Sequence, residues 1–155
     1  TGSQLYFAAI EGTHPVSGTV SNSSMGFVGL AEPSLSVSKT TSTPVILTGD
    51  AASFTITLNN NGDLPLTLTA TDPESDPACV SNLPAMLAAG EQASYACTSG
   101  PKTADFTTTL TVTGTYTLGD ETGQLVETST LNIDVINPAL TILNHGPATQ
   151  SVRGG

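Results

Sequence analysis

The sequence repeats itself at a fixed offset of 105 positions. Pro33, Leu35 and Val37 are matched by Pro138, Leu140 and Ile142, and the match runs on through Leu47 with Val152 and Gly49 with Gly154. In the other direction residues 5–33 lie over 110–138 without a gap, pairing Leu5 with Leu110, Phe7 with Val112, Val20 with Leu125 and Val28 with Ile133. A constant self-offset is the mark of a repeat architecture. It divides the chain into the closing strands of one unit (1–32), one whole unit (33–137) and the opening strand of a third (138–155). A lone hairpin is marginal in water, and open strand edges invite pairing. The partial units are therefore expected either to continue in a longer chain or to be completed by strands of neighbouring subunits, with continuation preferred. The expected contacts between units fall on Leu5, Phe7, Pro33, Leu35, Pro138, Leu140 and Ile142.

Within the whole unit the apolar residues recur at every second position. Leu35 and Val37 alternate with serines; Phe54, Ile56 and Leu58 alternate with Thr55 and Thr57; Leu64, Leu66 and Leu68 alternate with Thr67. Ala93, Tyr95 and Cys97, then Thr108, Leu110 and Val112, then Leu131, Ile133 and Val135 continue the pattern. Period two is the signature of half-buried strands. Turn residues punctuate the runs at Gly49-Asp50, at 59–63, at Gly90-Glu91 and at Gly119-Asp120. Short alternating strands at this spacing, with no helical period, predict an all-β, seven-stranded immunoglobulin-like β-sandwich in a tandem array, flanked by partial repeats.

Composition excludes several functions. Charged residues make up 10% of the chain, and the net charge of −10 reflects only three Lys and Arg. That leaves no basic patch to neutralise phosphates or to grip anionic lipid, so nucleic acid is not an expected partner. No apolar run approaches the ~18 residues of a membrane span, so the segment is not expected to cross a bilayer. The surface is rich in Ser, Thr, Asn and Gly, as suits an extracellular protein packed beside copies of itself. Cys79 and Cys97 are the two cysteines. In such a chain they are read as a disulfide formed in an oxidising compartment, joining strand ends near one pole of the sandwich; two buried free thiols are the alternative.

The residues also resemble a known family. Pro33, Leu35, Val37 and Lys39, then Gly49-Asp50, Phe54, Ile56, Leu58, Asn60 and Gly62, followed by Thr69, Thr71-Asp72, Cys79, Leu87, Gly90-Glu91, Tyr95 and Cys97, are similar to the Ig-like tandem repeat of large bacterial and archaeal cell-surface proteins, of the domain-of-unknown-function-eleven type. The resemblance implies a stalk, filament or adhesin of the cell envelope with no catalytic residues to carry over. The apolar stretch Tyr6 to Ala9 departs from the Thr/Asn-rich strand usual there.

Chemistry has little to work with. Both histidines, His14 and His145, lie outside 33–137, so no Ser/His or Cys/His arrangement can form within the unit and no enzyme is expected. Asp72, Glu74 and Asp76 alternate in one loop and are weak oxygen ligands for calcium; the spacing lacks the Gly and distal Glu of an EF-hand, and a solvated acidic loop is the preferred reading. A Lys39–Asn132 isopeptide bond would require Asn132 to face inward, and alternation places it outside. Asn22-Ser23-Ser24 has the form of a glycosylation sequon, and a chance triplet in a serine-rich strand is the preferred reading. No cofactor is called for. The expected role is a structural repeat of an extracellular filament or surface fibre, assembled head to tail with copies of itself or adjacent repeats. The alternative is an adhesin module that recognises a glycan or host protein through its loops; other envelope proteins or glycans are the remaining candidate partners.

Overall fold

A computed structural model of the chain describes residues 3–16 and 18–142. Ten strands and one helical turn follow in the order β1 (Ser3–His14), β2 (Gly18–Gly29), β3 (Leu35–Thr41), β4 (Val45–Leu47), β5 (Ala51–Asn60), β6 (Leu66–Thr71), α1 (Ala78–Ser81), β7 (Met86–Leu87), β8 (Gln92–Pro101), β9 (Phe106–Leu118) and β10 (Glu121–Ile136). Strands β3–β10 build a sandwich of two sheets. One has the order β3-β5-β8, the other β4-β10-β9-β6-β7. Among the described residues β1 and β2 pair with each other and with no further strand.

The period-two residues fill the space between the sheets. Phe54, Ile56 and Leu58 of β5 are at most 1% exposed, as are Leu66, Leu110, Val112 and Ile133 from the facing sheet. Burying each such side chain stabilises the fold by roughly 1.5–3 kcal/mol. Gly114 on β9 makes room for a residue from across the core: a Cβ there would stand 3.2 Å from Leu35 Cδ2 and 3.3 Å from Leu66 Cδ1.

The sandwich departs from the seven expected strands at two places. The first strand crosses from one sheet to the other. β3 pairs antiparallel with β5, and after Pro44 the chain resumes as β4, parallel to β10. Hydroxyl groups shape the crossing, because Ser53 N–H donates to Thr43 Oγ1 and Thr41 Oγ1 donates to the Ser53 carbonyl, each at 2.8 Å. Between β6 and β8, where a further strand would complete the seven, stand α1 and the two-residue β7. One helical turn is too short to show a 3.6-residue period, and Pro77 and the Asp76 carboxylate, which accepts from Ala78 N–H at 2.9 Å, hold it.

The β1–β2 hairpin does not copy the register of its offset counterpart, β9–β10. Leu110 pairs with Ser129, so the offset would pair Leu5 with Ser24; the hairpin pairs Leu5 with Phe27. β1 runs on to His14, the residue matching Gly119 in the β9–β10 turn, whereas β9 stops at Leu118, and an odd slip exchanges the faces of one strand relative to the other. Tyr6, Phe7, Ile10 and Met25 on this hairpin are all more than half exposed.

Truncating Ile56 to alanine should lower stability by about 2–5 kcal/mol, whereas Thr55→Ala on the outer face should cost about 1 kcal/mol or less. Urea denaturation of both variants checks this; equal losses would contradict the assigned faces.

Candidate functional site

The alternation that buries Leu35 and Val37 continues to Lys39, the next residue on that face of β3. Its ammonium group lies between the sheets with no side-chain exposure. Asp72, just past the end of β6, meets it there, with Nζ 2.6 Å from Oδ2 and an equally buried carboxylate. Lys39 Nζ also donates to Ser75 Oγ at 2.8 Å and to Thr108 Oγ1 at 2.5 Å, while Thr108 Oγ1 donates to Asp72 Oδ1 at 2.8 Å. An ammonium has three donors, and all three are used. The Phe54 ring lies beneath the charge, 4.0 Å from Nζ to the centroid, in a cation–π contact. Among the described residues no buried side-chain polar atom lacks a partner.

Burial pushes the Lys39 amine below the ordinary lysine range, against the opposing pull of its hydrogen bond and charge pairing with Asp72. The Tyr95 phenol is raised, first by burial and then by the Asp72 charge. Removing two charges from water costs several kcal/mol per ion, and only full hydrogen-bond satisfaction offsets it. With both charged side chains sealed from solvent, the pair offers no reacting atom to a substrate. Its geometry suits one task, fixing the β3 sheet to the β6–β9 sheet.

The three alternating carboxylates do not converge. Asp72 is inside the ion pair, Glu74 pairs with Lys102 at 2.9 Å near the surface, and Asp76 accepts from Ala78 N–H. The reading of 72–76 as a solvated acidic loop is corrected for Asp72, whose side chain β6 delivers to the interior. Nor does it stand with Glu74 and Asp76 as a calcium ligand: among the described residues no group of three His, Cys, Asp or Glu side chains could hold a metal. Lys39 and Asn132 do not meet, since Asn132 is exposed and accepts from Thr107 Oγ1 at 2.8 Å.

Cys79 and Cys97 form a disulfide with a Cα–Cα distance of 5.2 Å. It joins α1 to β8 rather than two strand ends. Tyr95 Oη donates to the Cys79 carbonyl at 2.7 Å, and Asp76 N–H donates to the Thr98 carbonyl at 2.9 Å. The 76–79 segment is thereby fastened along the outer edge of β8, an edge otherwise open to pairing with another chain.

The expected inter-unit residues divide. Leu35 is corrected: 7% exposed, it belongs to the core of its own sandwich because β3 turns it toward β5 and β9. Pro33 is half-buried against Gly62, while Phe7, Pro138, Leu140 and Ile142 are exposed. The Leu5 side chain lies outside the described residues, as do 143–155. Asn22 of the sequon is exposed on β2.

Sequence reasoning missed the acceptors of the pair, Ser75 and Thr108, and the pairing itself. Lys39 was marked by its alternation with Leu35 and Val37. No local signal marked its partner, 33 residues away.

No family model matches the sequence, and no curated protein matches it. Among solved structures the chain is similar to the CARDB domain of a Pyrococcus furiosus protein in complex with di-metal ions. The identity is 14%, covering 67% of this chain and 89% of that one, with a TM-score of 0.42.

Reducing the disulfide should lower stability by about 3 kcal/mol, from the loop it closes, read as a shift in urea midpoint with and without reductant. An unchanged midpoint would contradict the bracing role. The Tyr95 shift has a defined sign. A folded pKa raised above the unfolded value near 10 contributes stability that is lost as pH rises through the folded value. Ultraviolet titration of the folded protein should show a tyrosine step above the ordinary phenol range, and Tyr95→Phe should remove that late step.

Proposed function

We propose that this chain is a structural repeat of an extracellular filament or surface fibre of the domain-of-unknown-function-eleven type, assembled head to tail and without catalysis. The observation that carries the reading is the use made of the charged residues at the centre of the fold. Lys39 and Asp72 are sealed between the sheets and paired to each other, so they brace the sandwich and present nothing to a substrate. The self-offset supports an array, because the segment that supplies β3 recurs 105 residues later in an exposed setting, with Leu140 88% and Ile142 83% exposed. The disulfide is compatible with an extracellular location. Among the described residues no helix is long and apolar enough to cross a membrane.

An adhesin would recognise glycan through aromatic rings on its loops. Among the described residues the exposed aromatic side chains, Tyr6 and Phe7, sit on strand β1.

Immunogold electron microscopy of the native cells, with antibody raised against the 155-residue chain, should label fibres projecting from the surface. Label confined to the cytosol would sink the proposal. A saturable hit on a glycan array would favour the adhesin instead.

A further inference from the structure

We infer that the turn between β5 and β6 is the joint between one repeat and the one before it, and that the segment 136–139 is the matching surface for the same turn of a repeat that follows. The inference deepens the tandem reading and rests on it. The chain enters the sandwich through residues 30–34, and the turn closes on that entry. Glu32 N–H donates to Asp63 Oδ1 at 2.8 Å, and Asp63 N–H approaches the Glu32 carbonyl at 3.4 Å. Both polar groups of the Glu32 backbone thus face one residue of the turn.

Gly62 lies against the same segment. A Cβ at that position would stand 2.5 Å from Ser34 N, 2.6 Å from the Glu32 carbonyl oxygen and 3.0 Å from Pro33 C. These are backbone atoms that cannot swing aside, so the requirement for glycine here is one of space. Asn60, 1% exposed, fixes the turn from within. Its amide donates to the carbonyls of Leu64, Leu87 and Ala88, and its Oδ1 accepts from Gly62 N–H at 3.1 Å. Pro33 adds a φ locked by its ring. An entry segment gripped in this way cannot pivot freely, so whatever precedes residue 30 leaves the sandwich in a fixed direction.

The offset carries the joint to the other end of the fold. Ala31, Glu32, Pro33 and Ser34 are matched by Ile136, Asn137, Pro138 and Ala139. The second segment is exposed, and so are Leu140 and Ile142, whose counterparts Leu35 and Val37 are 7% exposed and half-buried. Among the described residues, what the first segment has and the second lacks is an Asn-x-Gly-Asp turn lying on it and a β5 strand beside it. The partner that fits is a further copy of this sandwich. The grip is made on backbone, which allows Glu32 and Asn137 to differ while the joint is the same.

Nitrogen-15 relaxation of the 155-residue chain tests this. In the wild type the amides of residues 31, 32 and 34 should show the heteronuclear NOE of the sandwich strands, and those of 139–142 the low values of a free tail. Asp63→Ala and Gly62→Ala should each drop 31, 32 and 34 toward tail values while the shifts of β5, β9 and β10 stay in place. Tail-like values in the wild type, or strand-like values in both variants, would overturn the joint. Extending the chain with a second copy of residues 33–137 directly after Asn137 should bring the Asn137 amide up to strand values once both copies show sandwich shifts. A tail-like Asn137 in that folded tandem would overturn the partner assignment. The fibre labelling can fail while these values stand, and the reverse, so the two readings fail separately.

Discussion

Lys39 and Asp72 meet at 2.6 Å with neither side chain in contact with water. Two charges buried in a small sandwich are a large electrostatic liability, and most of the surrounding polar architecture answers it. Thr108 holds both partners at once, Ser75 takes the third ammonium proton, and Phe54 offers its ring face. The elements that supply these groups are β3, the start of the β6–β7 connection, β9 and β5. The pair therefore fixes how the sheets sit over one another. In domains with an inter-sheet disulfide a covalent bond does this; here the Cys79–Cys97 bridge lies instead between α1 and β8.

Much of the fold was legible because strands announce themselves by a local pattern. The Phe54-Ile56-Leu58 run and the Leu110-Val112 run could be placed on the core face from period two alone. The crossing from β3 to β4 was not legible, since the hydroxyl bonds that shape it join Thr41 and Thr43 to Ser53 across ten or more positions. The α1 turn escaped because four residues cannot carry a helical period. The site was less legible still. Loop acids look solvated in a sequence, and only the end of β6 turns Asp72 inward. The same alternation that placed Leu35 and Val37 also placed Lys39, but a charged residue on an apolar face reads as an exception until its partner is found.

The edges bear on how such a unit can live in an array. The segment from Asp76 to Cys79 covers one edge of the β3-β5-β8 sheet, and β4 caps part of β10. In the proposed array these covers would leave the segments around Pro33 and Pro138 as the places for end-to-end contact. A hydroxyl-rich chain with few charged side chains suits hydrogen-bonded packing of neighbours. Function in this account is mechanical: the residues most constrained by the fold hold sheets and junctions in place.

A double-mutant cycle on the buried pair tests that account most directly. Urea denaturation would be measured for the wild type, Lys39→Met, Asp72→Leu and the double variant. Each single change should cost about 3–5 kcal/mol, because it strands the opposite charge, and the double variant should recover most of that loss. Charged groups kept for catalysis behave in the opposite way, since replacing them tends to stabilise the fold. Single variants as stable as the wild type, or losses that simply add in the double variant, would contradict the claim that the pair exists to hold the sheets together.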